Sequence, residues 1–395
     1  MSRIFVTGMG VISAIGEDLA ANHLSLKNGT CGISPLGLFP SRYSGVLPCG
    51  EIKTQTEVFK NILQAFEPGV TRTSLLALLA FQEAVRDAGW GGRQLNSAGT
   101  ALAGASTVGG MCLTDELYRD ARSQANGSPY LNSYDCASVF MYLQERFGIQ
   151  GIINTINTAC SSSANAILYG AKLLQHGLAE RVIAGGVDSL AKFTINGFNA
   201  LRILSDQVCA PFDRDRKGLN LGEGAAFLVL EKEAGLHNRK VYAELAGWGN
   251  SSDAFHPSSL SDQGDGPYLA MKAALDSSGL RPEDIGFINA HGTATENNDE
   301  VESRAMVRLF GQVPPFASTK SYTGHTLGAA GAVEAVFSIL SLHYQEIYSG
   351  LHFSHAIPET ALVPVQSYSR MSLEHVMSNS FGFGGNCTSL VFSKA

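Results

Sequence analysis

Arg181-Val182-Ile183-Ala184-Gly185-Gly186-Val187 shows no apolar–polar alternation, so a strand built from it must be covered on both faces. Helices packed on either side of a largely parallel sheet provide that cover. Just upstream, Ala164, Ala166, Ile167, Leu168, Ala171, Leu173 and Leu174 recur at helical spacing and stop near Gly177. Before them, Ile152-Ile153-Asn154-Thr155-Ile156 reads as another strand, and the three pieces form a βαβ unit. Cys160, in Asn157-Thr158-Ala159-Cys160-Ser161-Ser162-Ser163, falls between that strand and the first turn of the helix. Unpaired N–H groups and the helix dipole stabilise a thiolate there, so the thiol is expected below its usual pKa of about 8.5. A free cysteine is otherwise a small buried hydrophobe. Cys160 alone does not choose between these readings.

The rest of the chain repeats this grammar. Residues 3–12 read as a first strand, and Thr7, Gly8 and Gly10 break the run that a signal peptide would need. Residues 13–60, punctuated by glycine and proline, read as loop-rich cover. Leu75, Leu76, Leu78, Leu79, Phe81, Ala84 and Val85 mark a core helix over 74–88 that stops at Gly89. A strand over 100–104 enters the turn Val108-Gly109-Gly110, and 111–150 form an inserted, partly helical excursion. A strand at 226–230 follows the charged loop 211–217. The second half echoes the first: a helix over 267–278 ends at Gly279, a long helix opens at Gly324-His325 and runs through Leu342, and a last strand occupies 389–392. A duplicated α/β unit accounts for the echo, with residues 1–240 and 241–395 as its halves and the site where they meet.

Hydrophobic residues make up 45% of the 395 and charged residues 16%, enough for a large core. Net charge is −7 and no window gathers Lys and Arg with aromatics, which excludes a nucleic-acid surface. No apolar run reaches the ~18 residues that cross a bilayer, so no membrane association is expected and the cytoplasm is the expected location. Seven scattered cysteines without a C-x-x-C pair exclude a disulfide framework and a zinc site.

Two histidines resolve the cysteine. His291 follows the apolar strand 285–288, at the strand's carboxyl end where α/β sheets place their chemistry. His325, in Lys320-Ser321-Tyr322-Thr323-Gly324-His325, stands at the mouth of a helix, as Cys160 does in the other half. Glu334 lies on the apolar stripe of the helix after His325, and a carboxylate there must be paired.

Thr158-Ala159-Cys160-Ser161-Ser162, His291-Gly292-Thr293-Ala294-Thr295, Lys320 through Gly331, and Asn379-Ser380-Phe381-Gly382-Phe383-Gly384-Gly385 stand in the order found in one family. Together they resemble the β-ketoacyl-acyl-carrier-protein synthases of the elongating type, and the similarity runs the length of the chain. The resemblance implies a thiolase-like αβαβα five-layered fold, a homodimer or heterodimer, and a decarboxylative Claisen condensation. It implies acyl carrier protein as partner, substrates borne on its phosphopantetheine, and neither a bound cofactor nor a metal.

By the same resemblance Cys160 is the acylated nucleophile, and His291 and His325 are neutral donors to the malonyl thioester oxygen. Lys320 organises the histidines, with Glu334 tying the loops down. The backbone N–H groups of Cys160 and Phe383 form the oxyanion hole, and Phe383 gates the acyl pocket. Thr293 and Thr295 bind pantetheine, or else cap the next helix. Val108 lies in a turn that resembles one lining the acyl tunnel. The carrier is acidic in general, and the sequence itself offers only scattered positives, such as Arg72, to receive it. The chain departs from the family in one place: Asn386-Cys387 stand where Thr-Asn usually follows the two glycines, which opens the hydrogen bonding behind the site. Thr-Ala-Cys-Ser-Ser-Ser is also the form common in polyketide-type ketosynthases. A dedicated synthase of a polyene or polyketide pathway, and a non-catalytic partner subunit, are therefore the rival functions.

Overall fold

The computed structural model describes residues 3–125, 127–236 and 239–395. Ten strands build the main sheet: β1 (Ile4–Ser13), β2 (Thr100–Ala105), β3 (Ile153–Ile156), β4 (Arg181–Asp188), β5 (Gly224–Lys232), β6 (Ala243–Ser252), β7 (Phe287–Asn289), β8 (Phe316–Ala317), β9 (His375–Phe381) and β10 (Asn386–Ser393). Their order is β8-β7-β9-β10-β6-β1-β5-β4-β2-β3. Read outward from the centre, β1-β5-β4-β2-β3 and β6-β10-β9-β7-β8 have the same sequence of pairings, two antiparallel and then two parallel. Within the sheet the halves meet where β1 pairs with β6, Phe5 opposite Glu244 and Val6 opposite Ala243. The duplication is thus visible as topology, and the fold is the thiolase-like αβαβα arrangement.

Helices α1 (Arg72–Asp87), α2 (Ser162–Gln175), α3 (Lys192–Ala200), α4 (Asp265–Ser278), α5 (Glu296–Phe310) and α6 (Ala330–Tyr344) carry the layers. The middle layer is α2 against α6; α1 covers β1 and β5 on one outside, α4 covers β6 and β10 on the other. Glycines let the outer helices approach. A Cβ on Gly8 of β1 would sit 2.5 Å from the Ala84 carbonyl oxygen of α1, and one on Gly247 of β6 equally far from the Ala274 carbonyl oxygen of α4. One close approach is therefore repeated in each half.

Leu327–Tyr344 is 18 residues long and apolar enough to span a bilayer, contrary to the sequence expectation, but 89% of it lies inside the protein. It is the buried central helix with the short turn that precedes it. The cover over 13–60 is also more regular than expected: Leu19–Asn28 and Thr56–Leu63 are helices. The first buries only Asn22 and Leu26, so its sequence carries no apolar stripe. The excursion over 111–150 contains helices Thr114–Ser123 and Ser138–Phe147.

Candidate active site

The carboxyl ends of β3, β7 and β8 and the β9–β10 turn converge on one point. Cys160 Sγ and one ring nitrogen each of His291 and His325 all lie within 4.8 Å of one another. The sequence-predicted centre is assembled. Each part has a local cause. Ala159 takes a left-handed φ of +55°, a turn that ends the β3 strand and sets Cys160 just before the Ser161 cap of α2. His325 is held by a bridge to the first half: its N–H donates to the Asn220 carbonyl at 2.7 Å, and its own carbonyl accepts from Gly222 N at 2.9 Å. Glu302 of α5 fixes the His291 loop, accepting from His291 N at 2.9 Å and Gly292 N at 2.8 Å.

Lys320 is 1% exposed, and its Nζ donates to the His291 carbonyl at 2.6 Å and lies 3.2 Å from His291 Nδ1. The same ammonium is ion-paired to the equally buried Glu334. An ammonium has no acceptor, so His291 Nδ1 takes the hydrogen bond and the ring's proton sits on Nε2. In His325, Nδ1 accepts from Leu327 N at 3.2 Å, which also puts the proton on Nε2. That Nε2 is buried and has no partner among the described residues. Burial, with the Lys320 charge adding to it, holds both imidazoles neutral, well below the ordinary histidine pKa. The rings meet edge to face with centroids 5.5 Å apart. Two neutral N–H donors fixed on buried rings are suited to an anionic oxygen.

The cysteine departs from expectation. Burial pushes the Cys160 thiol up to about 11, against the Lys320 charge and the Phe383 N–H, which both favour the thiolate. Desolvation outweighs the helix start because Cys160 is 6% exposed and faces neutral rings rather than a cation. Burial likewise pushes Glu334 to about 7 despite Lys320, and Glu302 to about 7 despite the backbone N–H groups it accepts from.

A cavity of about 570 Å³ leads to the three residues and is also lined by Thr293, Thr295 and Phe383. Thr295 is the cap residue of α5 but makes no side-chain cap bond; its hydroxyl pairs with that of Thr293 at 2.8 Å. The capping alternative for this pair is not what the side chain does. Val108 is fully buried and does not line the cavity. It belongs to the buried apolar group that includes Leu190, Ile195 and Leu327. Arg72 cannot receive an acidic partner: it is buried, with Nη2 2.7 Å from Glu223 Oε1. Arg202 and Lys217 are exposed, line the cavity, and have no ion-pair partner among the described residues.

The open point behind the site has an answer in Asn386. Its Oδ1 accepts from Ser161 Oγ at 2.8 Å, Asn165 Nδ2 at 2.8 Å and Asn250 Nδ2 at 3.1 Å. Asn386 thus ties the nucleophile turn to α2, β6 and β10. Two other supports were not anticipated. The fully buried Asp188 carboxylate gathers Val108 N at 2.8 Å and Gly328 N at 2.6 Å, joining the Val108 turn to the start of the central helix. Glu302 was recoverable by the signal that singled out Glu334, a carboxylate on a buried helical stripe: Asp299, Glu302 and Met306 all face inward on α5.

A sulfur and two imidazole nitrogens this close could also ligate zinc, but the Lys320 ammonium beside His291 opposes a cation. Asp213, Asp215 and His355 form another such group; there Asp213 already accepts from the backbone N–H of Asp215 at 2.7 Å and of His355 at 2.9 Å.

Comparison with known proteins matches this geometry to a family. The beta-ketoacyl synthase N-terminal domain matches residues 1–235 and the corresponding C-terminal domain residues 242–354. The chain is 32% identical to the mitochondrial 3-oxoacyl-[acyl-carrier-protein] synthase of Arabidopsis thaliana, with 99% of this chain and 93% of that one covered. Among solved structures, the ishigamide ketosynthase/chain length factor superposes with a TM-score of 0.91 at 28% identity, covering 100% and 99% of the chains. The ketosynthase ApeO in complex with its chain length factor ApeC, from Xenorhabdus doucetiae, gives 0.87 at 30% identity, covering 100% and 98%. With both domains matched in order around a buried cysteine and two histidines, this chain belongs to the β-ketoacyl synthase family of condensing acyltransferases.

Proposed function

We propose that the protein lengthens an acyl chain in fatty-acid biosynthesis by condensing it, bound to Cys160, with malonyl-acyl carrier protein. In the first half-reaction the Cys160 sulfur attacks the carbonyl carbon of an acyl thioester. Pantetheine leaves as a thiol carrying the proton that Cys160 gives up. Covalent storage of the acyl group frees the cavity for the second substrate. Malonyl thioester then loses CO₂, and the electron pair of the broken C–C bond becomes an enolate whose oxygen accepts from Nε2–H of His291 and His325. The enolate carbon bonds to the acyl carbon, the transient oxyanion accepts from the N–H groups of Cys160 and Phe383, and Cys160 departs as thiolate. The product is a 3-ketoacyl thioester two carbons longer.

The observation that carries this reading is the hydrogen bonding of the two rings. Lys320 and Leu327 N–H occupy the Nδ1 atoms, which leaves the Nε2–H groups as the donors available to a substrate. Thr293 and Thr295, on the cavity wall, are placed to bind pantetheine, and Arg202 and Lys217 offer unpaired positive charge to an acidic carrier. No cofactor is required by any step. The protein works as a homodimer or paired with a second ketosynthase-like chain, in the cytoplasm. Cys160 and both histidines argue against a non-catalytic partner subunit.

A second reading, a dedicated ketosynthase of a polyene or polyketide pathway, is favoured by one observation: the ishigamide and ApeO structures, both ketosynthases described with chain length factors, superpose along the whole chain. One experiment tests the function and separates these readings. Intact-protein mass spectrometry after incubation with a panel of acyl carrier proteins should give an acyl adduct lost in Cys160→Ala. Saturated adducts that are extended with malonyl carrier protein support the first reading, polyene or polyketide adducts alone the second, and no adduct refutes both.

A further inference from the structure

His325 is held twice, by its peptide and by its ring. Asn220 and Gly222 of the first half bond the peptide. The ring relies on Leu327, whose N–H donates to Nδ1 at 3.2 Å. Leu327 has a left-handed φ of +53°, a conformation that a bulky residue keeps only where its surroundings enforce it. Its side chain belongs to the buried apolar group with Val108 and Leu190, which anchors one side of the turn. The next residue anchors the other side.

Gly328 N donates to Asp188 Oδ2 at 2.6 Å. Asp188 ends β4 in the first half and is fully buried. Its Oδ1 accepts from Ser106 Oγ at 2.8 Å, Thr107 N at 2.9 Å and Val108 N at 2.8 Å, and its Oδ2 accepts from Thr107 Oγ1 as well as Gly328 N. Both oxygens are therefore committed, one to the first half alone and one across the halves. The contact has no slack: a Cβ on Gly328 would lie 2.8 Å from Asp188 Oδ2 and 2.9 Å from Thr107 Cγ2.

We infer that Asp188 is a positioning residue for His325: by holding Gly328 it keeps Leu327 in its strained turn, so that the Leu327 N–H sets the orientation of the imidazole. The inference rests on the donor role proposed above for His325 in decarboxylation. Asp188 itself touches neither the substrate nor the reacting atoms.

Asp188→Asn tests it with almost no change of size. The single amide oxygen can serve Ser106, Thr107 N and Val108 N, which leaves the NH₂ facing the Gly328 N–H, donor against donor. In nitrogen NMR spectra of histidine-labelled protein, the His325 Nδ1 resonance, identified by its loss in His325→Gln, should move toward that of a ring nitrogen without a donor. CO₂ release from malonyl carrier protein should fall about 10²-fold, the effect of a misplacement of about 1 Å, while acylation of Cys160 by acetyl carrier protein falls by less than about threefold. Thr107→Val takes a donor from the same oxygen but spares Gly328, and should leave the resonance and CO₂ release at their wild-type values. Gly328→Ala pushes on the carboxylate from the other side of the contact; it should reproduce the effects of Asp188→Asn and serves if that variant does not fold. An unmoved Nδ1 resonance, the same shift in Thr107→Val, or equal losses in acylation and CO₂ release would overturn the positioning role and leave the proposed function standing. A moved resonance with CO₂ release intact would overturn the donor role of His325, and this inference with it.

Discussion

Lys320 Nζ lies 3.2 Å from His291 Nδ1 while ion-paired to Glu334, so one buried ammonium both fixes a histidine tautomer and neutralises a carboxylate. The two tasks separate by mutation. Lys320→Ala frees His291 Nδ1 and leaves Glu334 buried without its partner; already pushed up to about 7, the carboxyl then takes a proton, and the cost should be that of a buried polar group left unpaired, about 1–3 kcal/mol. The double variant Lys320→Ala/Glu334→Gln removes the unpaired carboxyl and should recover part of the midpoint lost in chemical denaturation. It should not recover malonyl decarboxylation, measured as CO₂ release, because His291 still lacks its fixed tautomer. Recovery of both together would mean that Lys320 serves the fold alone.

In the proposed mechanism, His291→Ala and His325→Ala each delete one N–H donor to the enolate. Loss of a donor to a developing oxyanion typically costs about 2.7–4 kcal/mol, or 10²–10³ in rate. Decarboxylation should fall by that factor in each variant. In that mechanism acylation of Cys160 relies on the backbone N–H groups of Cys160 and Phe383 instead, and should fall by less than about tenfold. Mass spectrometry of the acyl adduct beside CO₂ release checks the split, and equal losses in both half-reactions would refute the assignment of the histidines to the second.

Much of the site is legible in the sequence. Cys160 and His325 could be placed because a helix start following an apolar strand is written in local spacing. Glu334 stood out because a carboxylate on an apolar stripe demands a partner. What stayed hidden was physically non-local. Strand β6 is interrupted by Gly247 and Gly249, whose reason is the approach of α4, an element distant from them in the chain. Asp188 reads as an ordinary strand-end acid until Val108 and Gly328 are seen donating to it. The direction of the Cys160 thiol was misjudged because a helix start is a local feature, whereas desolvation depends on everything packed around the sulfur.

That thiol makes a pH prediction with a definite sign. With its pKa pushed up to about 11, Cys160 holds its proton at pH 7, and the thiolate fraction rises about tenfold per pH unit up to that value. Alkylation of Cys160 by iodoacetamide, followed by peptide mass spectrometry, should therefore climb steadily from pH 7 to pH 10. A plateau near pH 8 to 9, where an ordinary cysteine levels off, would show that the start of α2 and the Lys320 charge prevail over burial.

Asn386 carries the last prediction. Its Oδ1 collects donors from Ser161, Asn165 and Asn250, and the single Ser161 hydroxyl proton is shared with the Thr158 carbonyl, also 2.8 Å away, so the turn around Cys160 is braced from behind. Asn386→Ala removes the common acceptor. Asn165 is buried and retains a bond to Thr158 Oγ1 at 2.9 Å, whereas Asn250 is exposed and can turn to water. The stability cost should thus be about 1–3 kcal/mol, that of one buried donor left short of acceptors. Because the brace sets where the Cys160 N–H points, acylation should slow along with the loss of stability. Asn386→Asp keeps an acceptor oxygen for all three donors, and its acylation rate should lie between those of the wild type and the alanine variant. If both variants acylate at the wild-type rate, the network supports the fold without aiming the nucleophile.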